Sequence, residues 1–229
     1  MKLRLKEQLS EFAGTKTFVF EPEEPVTWQA GQYLHYFLEH PNADERGTER
    51  WFTIASAPYE KAVKITTRIS PDHTSSFKTA LQALKPGDEI NSEEPKGKFV
   101  LDDPSRDGIF VSGGIGITPY IAILRQLDHD GSQINIELLY ANRDDKDIPF
   151  RAELEAIAAR HPNFHITYFI GEHKIDRQVL EEFGKKLEDP VYYISGPEPM
   201  VEAFEKTLKE MGLDEEHYKL DFFPGYPAE

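Results

Sequence analysis

The sequence predicts two domains of different class: an antiparallel β-barrel over residues 1–103, then an α/β domain with a parallel sheet over residues 104–229. Three observations carry this. Apolar residues recur with period two as far as about Leu101, strands and helices alternate beyond it, and the polar, proline-bearing segment Asp102-Asp103-Pro104-Ser105 separates the two patterns.

Taken in order, Leu3 and Leu5 open a first strand, followed by Thr17-Phe18-Val19-Phe20, Tyr33 to Leu38, Trp51 to Ile54 and Val63 to Ile69. These runs are rich in aromatic and β-branched residues. Turn signals divide them, among them Glu21-Pro22-Glu23-Glu24-Pro25, Ala30-Gly31-Gln32 and Lys85-Pro86-Gly87-Asp88. One helix interrupts the strands, because Phe77, Leu81 and Leu84 fall at i, i+4 and i+7 behind the cap candidates Thr74, Ser75 and Ser76. The acidic stretch Glu39 to Glu49 reads as a solvated connection. After Pro104 the segments Gly108 to Ser112, Ile134 to Tyr140, His165 to Ile170 and Val191 to Ser195 read as strands. Between and after them Tyr120 to Leu127, Phe150 to Arg160, Gln178 to Leu187 and Met200 to Met211 read as helices.

Composition removes several classes of function. Lys plus Arg number 26 against 41 Asp plus Glu, a formal charge of -15, so no nucleic-acid partner and no anionic membrane surface is expected. The absence of cysteine excludes disulfides, thiolate-held iron-sulfur clusters and a thiol nucleophile. His161 and His165 are four apart, but Pro162 breaks any helix that would align them, so no metal site is expected. No Gly-x-Ser-x-Gly elbow occurs. Met1 to Glu7 alternates charged and apolar residues, and no apolar run reaches spanning length, so no membrane insertion and a soluble, cytoplasmic protein are expected.

Three motifs point to chemistry. Arg50-Trp51-Phe52-Thr53-Ile54-Ala55-Ser56 puts a cation and an aromatic ring on one strand face with a hydroxyl beside them. Val111-Ser112-Gly113-Gly114-Ile115-Gly116-Ile117-Thr118-Pro119 takes a buried strand through a glycine turn into a helix. There Thr118 is positioned to cap and Pro119 to fill the first helical position, where no donor is needed. Ser195-Gly196-Pro197-Glu198-Pro199-Met200 is a second strand end entering a helix. In this order and spacing they resemble the ferredoxin-NADP reductase family of flavoproteins, and the resemblance covers nearly the whole chain.

The resemblance implies a flavin-binding barrel and a Rossmann-like nucleotide-binding domain, with FAD and NAD(P)H as cofactors. It places Arg50 on the flavin pyrophosphate, Phe52 against the isoalloxazine and Thr53 at flavin N5. Ser75 and Ser76 would meet the pyrophosphate at the helix start, and Thr67 and Arg68 would meet the AMP half. Phe52 stands where the family more often has tyrosine, and His73 and Thr74 where it often has glycine.

For the nicotinamide nucleotide it implies Gly113, Gly114, Gly116, Thr118 and Pro119 at the first turn, and Ser195, Gly196, Pro197 and Met200 at the second. Ser195 replaces the family's cysteine. Arg143, with Arg151, is placed to bind a 2′-phosphate, which favours NADPH. Asp221 and Phe223 match an acid and a flavin-covering aromatic near the chain end, with Tyr226 as the alternative ring. The implied activity is hydride transfer from NAD(P)H to FAD, with Thr53, Ser195 and Asp221 as catalytic candidates. Electrons would then pass to ferredoxin, flavodoxin, an oxygenase component or free flavin. Two alternatives are an electron-transfer subunit active only in a larger complex and an NAD(P)H:flavin reductase.

Overall fold

A computed structural model describes residues 1–12, 14–69, 74–146 and 148–223, with the backbone alone at Glu11, Phe12 and Phe223. It separates into two compact units, Met1–Val100 and Leu101–Glu229.

The first unit is a six-stranded antiparallel sheet of β1 (Lys2–Phe12), β2 (Thr15–Pro22), β3 (Tyr33–Phe37), β4 (Glu49–Thr53), β5 (Val63–Arg68) and β6 (Glu89–Ser92), in the order β4-β3-β6-β1-β2-β5. Alternate residues turn inward. Leu3, Leu5, Phe18, Phe20, Leu34, Tyr36, Val63 and Ile65 form its core with Phe77 and Leu81 of helix α1 (Ser76–Ala83). Strand β6 escaped the period-two pattern because Glu-Ile-Asn-Ser carries one apolar residue. It is nevertheless central, pairing with β1 and β3 and burying Ile90.

The two outer strands of this sheet are tied together just past β4, which makes it barrel-like. Ala55 N–H donates to Lys64 O at 2.9 Å. The buried Ser56 hydroxyl donates to Ala62 O (2.6 Å) and accepts from Lys64 N–H (3.1 Å), while Trp28 Nε1 donates to Ser56 O (3.1 Å). Closure removes two strand edges that would otherwise expose unpaired backbone groups.

The second unit is doubly wound. Strands β7 (Gly108–Gly113), β8 (Ile136–Asn142), β9 (Phe164–Ile170), β10 (Val191–Pro197) and β11 (Tyr218–Phe223) form a parallel sheet ordered β11-β10-β7-β8-β9. On one face Ile109, Val111, Tyr192 and Ile194 pack with Leu180 of α4 (Arg177–Gly184) and with Val201 and Leu208 of α5 (Glu198–Glu210). On the other lies α2 (Thr118–His129), whose Tyr120 stacks on Phe110 at 4.6 Å. Helix α3 (Arg151–Ala158) joins α2 through a bidentate Arg125–Glu153 pair. Strand order reverses between β7 and β10, and ligands of such sheets gather at that switch point, beyond the carboxyl ends of the strands. Among the described residues no helix is long and apolar enough to cross a membrane.

Replacing Ser56 by alanine should strip Lys64 N–H of a buried acceptor and cost about 1–3 kcal/mol. Urea unfolding with an unchanged slope would register this, and an unaltered midpoint would show that the hydroxyl does not close the sheet.

Candidate functional site

Strand β4 buries its arginine. Arg50 is 5% exposed, and a cation so placed must find acceptors. They come from the loop just before β4. Nη1 donates to the carbonyls of Arg46 (2.7 Å), Gly47 (3.1 Å) and Glu49 (2.6 Å), and Nη2 to Asp44 Oδ1 at 2.8 Å. Nε is buried without a partner. The guanidinium carbon lies 5.6 Å from the centre of the Phe77 ring.

The Glu39 to Glu49 segment is therefore more than a solvated connection. Asp44 Oδ2 accepts from the backbone N–H of Ser76 (2.9 Å), the first residue of α1, and Asp44 N–H donates to the Ser76 hydroxyl (2.9 Å). His40 meets the same hydroxyl through Nε2 at 3.0 Å, while its Nδ1 faces Leu38 O at 2.7 Å. Burial works to raise the Asp44 pKa. The hydrogen bonds from Ser76 N–H, Arg50, the Ser76 hydroxyl and Arg46 N–H outweigh it and hold the carboxyl down at about 2. A buried cation and the N-terminus of a helix thus share one anion, supplied by the chain itself.

Around this seat Ser75 is the N-cap of α1, accepting from Lys78 N–H, and Phe52 is half-buried between Tyr36 and Phe77, with ring centres 6.0 and 5.9 Å away. Thr53 and Thr67 are buried, and Arg68 contributes its carbonyl to Lys78 Nζ at 2.9 Å. His73 lies outside the described residues.

In the second unit the two glycine motifs meet at the switch point. A Cβ on Gly116 would stand 2.3 Å from Ser195 O and 2.8 Å from Gly196 Cα, so only glycine lets the turn after β7 touch the end of β10. Met200 covers the junction, since a Cβ on Gly113 or Gly196 would strike its sulfur at 2.6 Å or its methyl at 2.4 Å. Gly114, at φ +53°, has nothing within 4 Å of that position, and this leaves one side of the turn open to a ligand. The helix after the turn begins differently from expectation. Thr118 is its first residue and Ile117 the cap position, and the Thr118 hydroxyl donates back to Ile115 O at 3.2 Å because its own backbone is already helical. Pro119 sits in the first turn, where its missing N–H costs nothing.

Parallel pairing also lines up a row of polar side chains across the sheet: Asp221, Ser195, Ser112, Tyr140 and Tyr168 are successive register partners. The Ser195 hydroxyl donates to Asp221 Oδ2 at 3.0 Å. Although Asp221 keeps some exposed surface, its carboxyl group is enclosed. That burial raises its pKa to about 6 against the opposing pull of Ser195. Ser112 Oγ and both amide atoms of Asn142, at the end of β8, are buried without partners. Pro197 leads into α5, and Arg143 is exposed just past β8. Arg151 is engaged by Asp145 and Glu155 and so is not held open for a phosphate. Phe223 pairs with Pro197 through its backbone, whereas its ring and all of Tyr226 lie outside the described residues. Within the described residues no group of three or more His, Asp or Glu side chains is placed to hold a metal.

The sequence alone gave no individual role to Asp44, Ser112, Tyr140 or Asn142. Asp44 carried no signal beyond its charge, while Ser112 lay inside a motif already singled out, and Tyr140 and Asn142 adjoined Arg143.

Residues 110–206 match the oxidoreductase NAD-binding domain family. A glycine betaine monooxygenase reductase subunit of Chromohalobacter salexigens is 29% identical over 243 residues, covering 99% of this chain and 65% of the relative. The chain thus spans slightly less than two thirds of that relative's length. Among solved structures, the FAD/NAD-binding domain of nitric oxide dioxygenase from Vibrio cholerae shares the fold with a TM-score of 0.80, 20% identity and coverage of 97% and 98%. A ferredoxin NADP+ reductase from Neisseria gonorrhoeae, with bound FAD and NADP, does so with a TM-score of 0.78, 17% identity and coverage of 97% and 98%. Residues 110–206 are thus an oxidoreductase NAD-binding domain, and in its relatives and its two-unit fold the chain is similar to the ferredoxin-NADP reductase-like FAD/NAD(P)-binding oxidoreductases.

Proposed function

We propose that this chain is a reductase that takes hydride from NAD(P)H onto FAD and delivers electrons to a separate acceptor. The observation that carries this is the junction of Gly116 with Ser195 at the switch point, in one chain with a buried arginine and a helix N-terminus that share an anion. FAD, when bound, supplies the two-electron acceptor for nicotinamide and the one-electron donor for the next protein. All other roles belong to the chain.

The residues fit a dinucleotide flavin. Arg50 and Ser76 N–H already hold a carboxylate where the resemblance places a pyrophosphate, so the donor set has the chemistry of a phosphate seat. Phe52 is read as the ring partner, Thr53 as the hydrogen bond at the reactive nitrogen, Ser75 as the fixed cap of the seat, and Thr67 with Arg68 as contacts to the AMP half. In the second unit Gly113, Gly114 and Gly116 bring backbone close to the nicotinamide nucleotide. Thr118 and Pro119 start the helix behind them, and Gly196, Pro197 and Met200 form the opposing wall. Phe223 or Tyr226 is read as the covering aromatic.

Ser195 and Asp221 are read as the proton-holding pair beside the nicotinamide. With a carboxyl near 6, Asp221 exchanges a proton close to neutral pH, and Ser195 orients it. Arg143, exposed past β8 with no carboxylate at the strand end itself, supports NADPH over NADH. As acceptor we favour an oxygenase component, after the monooxygenase reductase subunit to which the chain is similar. The charge of -15 disfavours strongly acidic partners such as many ferredoxins. A second reading, an NAD(P)H:flavin reductase, is favoured by Asp44, whose hold on the phosphate seat argues for exchangeable flavin.

Mixed anaerobically with this chain carrying stoichiometric FAD, NADPH should bleach the yellow flavin absorbance, and faster than NADH. Failure of both nucleotides, with FAD demonstrably bound, would leave only a non-catalytic subunit.

Asp221 also links stability to pH. Its folded pKa lies above the ordinary carboxyl value of 3.8, so the protonated form is the one the fold prefers. This contribution is complete below about pH 4 and is lost as pH rises through about 6, by at most ~3 kcal/mol. Asp221→Asn should therefore stabilise the protein relative to wild type at pH 8 and not at pH 4. Equal melting shifts at both pH values would mean that the carboxyl is not held in a raised state.

A further inference from the structure

The guanidinium of Arg50 is only partly used. Its Nη2 meets Asp44 Oδ1, but Nε on the same edge is buried and unpartnered, because the other carboxylate oxygen of Asp44 is committed to Ser76 N–H. A carboxylate has two oxygens, and this seat offers three donors: Nε and Nη2 of Arg50 and the first N–H of α1. A pyrophosphate linkage presents four non-bridging oxygens over its two phosphates, enough to meet the side-on edge of arginine in two-point contact and the helix N–H together. The seat is thus built for a phosphate and held by a weaker anion.

We propose that Asp44 is a competitor carried by the chain for the flavin's phosphate groups, so that flavin binds only by displacing it and is held less tightly than the seat itself would allow. This rests on the flavin reading given above. Binding requires the Asp44 carboxylate to leave Arg50 and Ser76. The remaining bonds to Arg50 persist, since its Nη1 is held by the carbonyls of Arg46, Gly47 and Glu49, which keeps the cation in place while its Nε and Nη2 edge changes partner.

The loop can hold its shape while the Asp44 side chain alone makes that exchange. Its ends are pinned by Leu38 N–H to Thr48 O (2.9 Å) and by the Thr48 hydroxyl to Glu39 Oε1 (3.3 Å), with Asp44 between them. Gly47 N–H to Asp44 O (2.9 Å) closes an inner turn. His40 keeps a separate hold on the Ser76 hydroxyl, so the helix start retains a contact when Asp44 withdraws. The carboxyl titrates near 2. It therefore remains charged throughout the neutral range, and protonation does not relieve the competition.

The test is equilibrium titration of the full chain and of Asp44→Ala and Asp44→Asn with FAD, with riboflavin, which lacks phosphate, and with inorganic pyrophosphate. Flavin fluorescence and the shift of melting temperature with ligand are the readouts. Both variants should bind FAD and pyrophosphate about tenfold or more tightly than wild type, as expected for a charged hydrogen-bond partner regained, with riboflavin binding unchanged. FAD binding by the variants equal to or weaker than that of wild type, with both variants folded, would overturn the proposal. Tighter pyrophosphate binding by the variants without any flavin binding would uphold Asp44 as the competitor and sink the flavin reading instead. No change in pyrophosphate binding would count against Asp44 whatever flavin does.

Discussion

Everything proposed for the second unit depends on one close approach: the turn after β7 touches the end of β10 with no room for a side chain at Gly116. Parallel pairing of Ser112 with Ser195 sets the register, and the turn seals it. Two segments some eighty residues apart are thereby brought together at the switch point, where ligands of such sheets gather and where Gly114 leaves open space. The same register carries Ser195 to Asp221, and only because β11 adds outside β10 does the acid end in an enclosed position that raises its pKa.

The first unit obeys a different constraint, the need to satisfy a buried cation. Arg50 stands on a strand in an inward position, and burial of an unpaired guanidinium would cost several kcal/mol. The chain answers with a loop whose carbonyls and carboxylate converge on it, and with the N-terminus of α1 as a second claimant on the same carboxylate. A protein that supplies its own anion can fold with this cation paired, and on the proposal above it then exchanges that anion for a better-matched one. Stability and ligand competition are here two aspects of one contact.

Much of this was legible in the sequence. Period two in the first hundred residues and the strand-helix alternation after Pro104 gave both fold classes, because burial on one sheet face and on both sheet faces leaves different patterns. The glycine turn and the Ser195 motif were legible because close backbone approach admits few residue types. What escaped has physical causes. Strand β6 shows one apolar residue, so its central position is a property of pairing and not of pattern. Asp44 is one acid among several in its loop, and nothing local distinguishes the one that folds back onto Arg50. Thr118 looked like a cap because threonine before proline usually is one, but a short helical turn begins earlier and takes the threonine into the helix. Ser112 and Asn142 acquire interest only from burial without partners, which no sequence displays.

Hydride transfer is followed by stopped-flow reduction of FAD by this chain, using NADPH with hydrogen or deuterium at C4 of the nicotinamide. If this chain transfers hydride from NADPH to FAD as proposed, single-turnover bleaching slows when the transferred position carries deuterium. Bleaching no faster than in the absence of the protein would contradict it.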